Sequence, residues 1–83
     1  MKFKAEIDIM PHDALLDPQG KAVQSGLRNL GIESVENVRV GKHMSITLEA
    51  DNEAAAREAV DTACKKLLAN LIVERYQFEI AAV

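Results

Sequence analysis

Two histidines, one cysteine and three methionines are the residues on which this chain could build a nucleophile, a proton shuttle or a soft metal site. A nucleophile needs a base within hydrogen-bond reach and a third group to orient that base. His12 stands beside Asp13 in a turn-like stretch and His43 follows Gly41 and Lys42, so no Ser, His and Asp or Cys and His spacing points to an assembled set. Both read as solvated turn histidines. Cys64 falls mid-way along a helical pattern on the edge of its apolar stripe, where a small core filler is the plain reading. A lone cysteine excludes an internal disulfide and any CxxC metal or redox pair, and it fits a reducing compartment. Met1, Met10 and Met44 read as start residue, strand end and core filler. No catalytic residue, cofactor-binding residue or metal ligand is therefore expected on this chain.

Two other stretches could bind rather than react. In Asp17-Pro18-Gln19-Gly20, Asp17 suits an N-cap and Pro18 the first helical position. Gly20 then leaves backbone donors open to close approach by an anion or another chain. The second stretch, Arg39-Val40-Gly41-Lys42-His43, puts a basic turn on an acidic protein, with the 10 basic and 13 acidic residues giving a formal charge of −3. Plain capping and a solvated turn are the simpler readings of the two. Asp17, Gly20, Arg39, Gly41, Lys42 and His43 are the candidate partner-binding residues.

The elements that must position them follow from periodicity. Phe3, Ala5, Ile7 and Ile9 alternate with Lys2, Lys4, Glu6 and Asp8, which predicts a strand over Lys2 to Met10 with one wet face. Pro11 ends it. A helix starting at Asp17 carries Ala22, Val23, Gly26, Leu27 and Leu30 on one stripe, and Gly31 closes it in the left-handed region. Strands over Ser34 to Val40 and His43 to Ala50 are expected next, joined by Gly41 and Lys42 as a two-residue type II′ hairpin turn. Asp51 caps a helix from Asn52 to Ala69 with the stripe Ala56, Ala59, Val60, Ala63, Cys64 and Leu67. Glu53, Arg57, Asp61 and Lys65 alternate in sign along its outer side. Asn70 reads as a left-handed stop, and a last strand runs from Val73 to Ala81 with Tyr76, Phe78 and Ile80 inward.

The order βαββαβ predicts an α+β, ferredoxin-like plait over residues 1–83: a four-stranded antiparallel sheet with two helices on one face. That fold hosts many functions, so each must be tested on residues. RNA-binding plaits stack bases on outward aromatics, whereas Phe3, Tyr76 and Phe78 all read as inward. Net negative charge argues against nucleic acid and anionic lipid. No apolar run approaches a membrane span and no signal peptide is apparent at Met1, so a cytoplasmic location is expected.

Size bears on partners. A chain of 9.1 kDa buries apolar surface worth about 125 kcal/mol against an ordering cost of about the same size. Self-association, as a dimer or higher, is expected to make up the margin.

At the two binding stretches the sequence also resembles a known family. Asp17-Pro18-Gln19-Gly20, Leu27, Leu30-Gly31, Val38-Arg39-Val40-Gly41-Lys42, Cys64-Lys65-Lys66-Leu67-Leu68-Ala69-Asn70 and Ile72-Val73-Glu74 are similar, in order and spacing, to the PurS family, the small subunits of phosphoribosylformylglycinamidine synthase. Leu71 departs from it, since the family usually has proline there. The resemblance implies a non-catalytic adaptor of purine biosynthesis that acts as a dimer. It would bridge a glutaminase subunit and a large synthetase subunit that uses ATP and magnesium, and assist ammonia transfer between them. The alternative from the residues is a regulatory plait that binds a small metabolite at a dimer interface near the first loop, which Gly20 and Gly31 would permit. An acylphosphatase-like enzyme comes third, weakened because the first loop lacks an arginine-containing phosphate cradle.

Overall fold

The alternating N-terminal segment forms the centre of the molecule. In the computed structural model, which describes residues 1–83, strand β1 spans Lys2–Pro11 and turns Phe3, Ala5, Ile7 and Ile9 into the core. Helix α1 follows at Pro18–Asn29, strand β2 at Lys42–Glu49, helix α2 at Glu53–Ala63 and strand β3 at Glu74–Ala82. Both neighbours pair with β1 in antiparallel fashion, giving the order β2-β1-β3. Ile7 stands opposite Met44 on one side and Phe78 on the other. The period of two then brings Met44, Ile46, Leu48, Tyr76, Phe78 and Ile80 to the same face. Helix α2 covers that face, with Val60 and Cys64 against Ala5, Ile7 and Ile9.

The sheet has three strands, not the expected four. Residues 33–41 run without ladder bonds, although they alternate as a strand would. Part of their polar backbone is held from α1 instead: the Gln24 side-chain amide donates to the Val35 and Glu36 carbonyls at 3.2 and 3.1 Å. Backbone groups satisfied by side chains have no need of a sheet edge. The hairpin at Gly41 and Lys42 goes with the lost strand, since Lys42 already belongs to β2. The expectation of two helices on one face also fails. Only α2 packs on the sheet; α1 makes marginal contact with the other elements, and Val23 and Leu30 stay largely exposed.

Helix ends follow local chemistry. Gly31, at φ +86°, closes α1: the Gly31 amide donates to the Arg28 carbonyl and the Ile32 amide to Leu27, both at 2.9 Å, which is the Schellman arrangement. The cap of α2 is Asn52 rather than Asp51, its side-chain oxygen accepting from the Ala55 amide at 2.8 Å. Asn70 is not left-handed, for no residue except Gly31 has positive φ. It makes the turn by accepting from the Val73 and Glu74 amides.

Beyond Ala63 the helix widens into a π-helical turn over Cys64–Leu68, and the Ala69 amide reaches back five residues to the Cys64 carbonyl at 3.0 Å. The wider turn changes which side chains point inward. Ala69 is buried and Leu68 half-buried, while Leu67, which the 3.6-residue stripe places in the core, is 81% exposed.

Candidate functional site

Five of the six candidate residues meet at the corner where α1 begins. Asp17, 8% exposed, is its N-cap. One carboxylate oxygen accepts from the Gly20 amide at 3.0 Å, and the other accepts from the Val40 amide at 2.8 Å. A single side chain thereby fixes both the helix start and the far end of the crossing segment. The Gly20 amide, then the Val40 amide, hold the Asp17 carboxyl below the ordinary aspartate range, because both favour the charged form.

Glycine at position 20 is needed for close approach: a Cβ there would lie 2.0 Å from the Val38 carbonyl oxygen. At Gly41 a Cβ would lie 2.3 Å from the Ile9 carbonyl oxygen. Between these crossings Arg39 faces inward, unlike the exposed cation expected of a hairpin tip. Its Nη1 donates to the Leu15 carbonyl at 2.9 Å and its Nη2 to the His12 carbonyl at 2.5 Å. Arg39 thus fastens the loop between β1 and α1. Lys42 keeps more than half of its side chain exposed and reaches Glu74 at 3.5 Å. Beside this corner lies an open cleft of about 330 Å³, with Ala14, Leu16, Lys21 and Asn37 among its walls.

His43, the sixth, turns its side chain to the open face of the sheet. Its Nδ1 lies 2.6 Å from Asp8 and its Nε2 lies 2.6 Å from Glu6, whose carboxylate also accepts from the Ser45 hydroxyl at 2.5 Å. Ser45 first, and His43 second, lower the Glu6 carboxyl to about 2. Asp8, followed by Glu6, raises His43 above its ordinary value. Sequence reasoning places Glu6, Asp8 and Ser45 outward but does not join them to His43. The i, i+2 spacing of Glu6 and Asp8 and of His43 and Ser45 is a signal, and the β1·β2 register is the missing piece.

Other reactive groups are engaged elsewhere. His12 Nε2 lies 3.2 Å from the Leu71 carbonyl oxygen. Cys64 is fully buried, and burial pushes its thiol upward. Tyr76 donates to Asp61 at 2.5 Å, with Lys65 on the same carboxylate at 2.8 Å. No group of three His, Cys, Asp or Glu side chains is placed to hold a metal ion.

Polar side chains here fasten backbone segments and strands to one another, in a small α+β module built on an antiparallel sheet. Comparison with known proteins makes the class particular. The family model PurS, phosphoribosylformylglycinamidine (FGAM) synthase, matches residues 4–82. The PurS subunit of Synechocystis is 47% identical over 81 residues, covering 98% of this chain and 81% of that protein. Thermus thermophilus PurS superposes with a TM-score of 0.86 at 38% identity, covering 100% of this chain and 99% of that one. A chain of PurLQS from Thermotoga maritima superposes at 0.89 with 33% identity, covering 98% and 99%. The chain belongs to the PurS family, the small subunits of FGAM synthase, and its place is in purine biosynthesis.

Proposed function

We propose that this chain, as one unit over residues 1–83, is the non-catalytic adaptor of a cytoplasmic FGAM synthase complex. It self-associates and bridges a glutaminase subunit to a large synthetase subunit that uses ATP and magnesium. An adaptor of this kind fixes two sites in one relation and keeps water from the path between them, so that ammonia is delivered rather than lost. The observation that carries this reading is the full-length likeness to a chain of PurLQS from Thermotoga maritima. In support, no helix is long and apolar enough to cross a membrane.

The proposed docking surface is the corner of Asp17, Gly20, Arg39, Gly41 and Lys42, continued by His43 on the adjoining open face of the sheet. Asp17, Gly20 and Arg39 hold its shape from within, and Lys42 offers its exposed ammonium to the partners. Charges of this kind steer encounter and fix register more than they add affinity.

The test compares nitrogen sources in the complex reassembled with and without this chain, under the same ATP and magnesium conditions. Amidine formation from glutamine should need the chain, because that route needs the glutaminase docked on the synthetase. Free ammonia at high concentration bypasses docking and should restore turnover without it. Equal slowing of both reactions on omission would place the role in the synthetase chemistry and overturn the bridging.

A further inference from the structure

The His43 cluster is not explained by an adaptor's need for a docking corner. Both ring nitrogens lie 2.6 Å from carboxylate oxygens, Nδ1 from Asp8 and Nε2 from Glu6. An ionised carboxylate only accepts hydrogen bonds, and a neutral imidazole has one N–H and one lone pair. A neutral ring would therefore turn a lone pair toward one of these oxygens. The imidazolium alone satisfies both contacts, and at 2.6 Å both are shorter than the roughly 2.7–2.9 Å usual for a charge-assisted N–H···O bond. We propose that His43 is a proton-dependent clamp, which as an imidazolium ties the N-terminal end of β2 to Glu6 and Asp8 of β1, and on losing its proton lets that end loosen.

The surrounding charges make the clamp matter. On β1, Lys4 stands 3.4 Å from the other oxygen of Glu6. Across β1, β3 presents Gln77 opposite Asp8 and Glu79 opposite Glu6. Arg75, further along β3, is engaged by Asp13 at 3.0 Å. Lys42, next to His43 on β2, is engaged by Glu74. Helix α2 packs on the other face of the sheet, so it brings no charge here. Once His43 is neutral, Glu6, Asp8 and Glu79 share this patch with Lys4 alone.

Position gives the proton its reach. Strand β2 is an edge strand paired with β1 only, and His43 is its second residue. The residues just before it, Val40 to Lys42, carry the crossing segment into the strand. His43 thus sets how firmly that segment is moored, and this holds whether or not the corner docks a partner. The sign is fixed by linkage: a histidine raised by its partners contributes below its unfolded-state value, and the contribution is lost as pH rises through the folded-state value. Loosening belongs to the alkaline side.

The experiment is an NMR titration of the full chain from about pH 5 to about pH 9, the range in which histidine charge changes. The His43 ring should titrate above its midpoint in the urea-unfolded chain. Glu6→Gln and Asp8→Asn should each lower that midpoint, and the double variant should lower it most. Hydrogen-exchange protection of the Lys42 and Met44 amides, which flank His43 and face β1 in the ladder, should fall relative to β3 through the midpoint by up to about tenfold per unit of elevation. His43→Gln should remove that step while the β1·β3 amides stay protected. A midpoint equal to that of the unfolded chain would overturn the clamp. So would a raised midpoint without a step in protection, or a step that persists in His43→Gln.

Discussion

At the scale of single residues, the two glycines that touch backbone do different work from those that do not. A methyl at position 20 meets the Val38 carbonyl, and main chain cannot swing aside as a flexible side chain can. Gly20→Ala should therefore destabilise the fold by about 1–3 kcal/mol, as overpacking does. Gly26 is the control within the same helix, because a methyl added there would meet nothing within 4 Å. Gly26→Ala should stabilise by up to about 1 kcal/mol, because alanine loses less backbone entropy in a helix interior. Urea melts of the two variants, run side by side, check both signs. Cys64 gives a chemical counterpart: buried, with its thiol pushed upward, it should resist a thiol reagent under native conditions and react at once in denaturant. Rapid native labelling would contradict the burial.

At the scale of elements, the π-helical turn makes a prediction that periodicity alone gets backwards. Leu67→Ala should change stability by no more than about 0.5 kcal/mol, as exposed substitutions do, since Leu67 is 81% exposed. Ile7→Ala, at a position with no exposure, should cost about 2–5 kcal/mol. A large loss at Leu67 would restore the regular helix. The same pair shows what was legible in the sequence. Strand β1 could be read residue by residue because its alternation is a local signal, and the caps at Asp17 and Gly31 are local as well. The missing fourth strand was not legible: residues 34–40 alternate acceptably, and only the reach of Gln24 and Asp17 across the fold decides that the Val35 and Glu36 carbonyls and the Val40 amide are satisfied elsewhere. For the candidate site, the sequence named the corner residues. The inward turn of Arg39 and the union of His43 with Glu6 and Asp8 depend on register and crossing, which spacing does not carry.

At the scale of the whole molecule, the isolated chain is too open for its size. Its accessible surface is 5879 Å², against roughly 4,900 Å² for a compact monomer of this mass. Its radius of gyration is 16.4 Å, against about 12 Å for a compact chain of this length. The cause is α1, which extends away from the sheet with Leu16, Val23, Leu30 and Ile32 all 45% exposed or more. The excess of about 1,000 Å² per chain is close to the roughly 800 Å² that each partner gives to a standard interface. A second copy is the simplest cover, since a symmetric contact uses one patch twice. Light scattering at micromolar concentration should therefore report at least a dimer. Val23→Asp with Leu30→Asp should shift it toward monomer, because each carboxylate would be desolvated in the contact. Lys42→Glu, outside that stripe, should leave the assembly state and the melting temperature nearly unchanged while weakening binding to the synthetase and glutaminase. A parent chain that stays monomeric at these concentrations, with a radius of gyration near 16.4 Å by small-angle scattering, would show that α1 stands free and that its apolar stripe belongs to another partner.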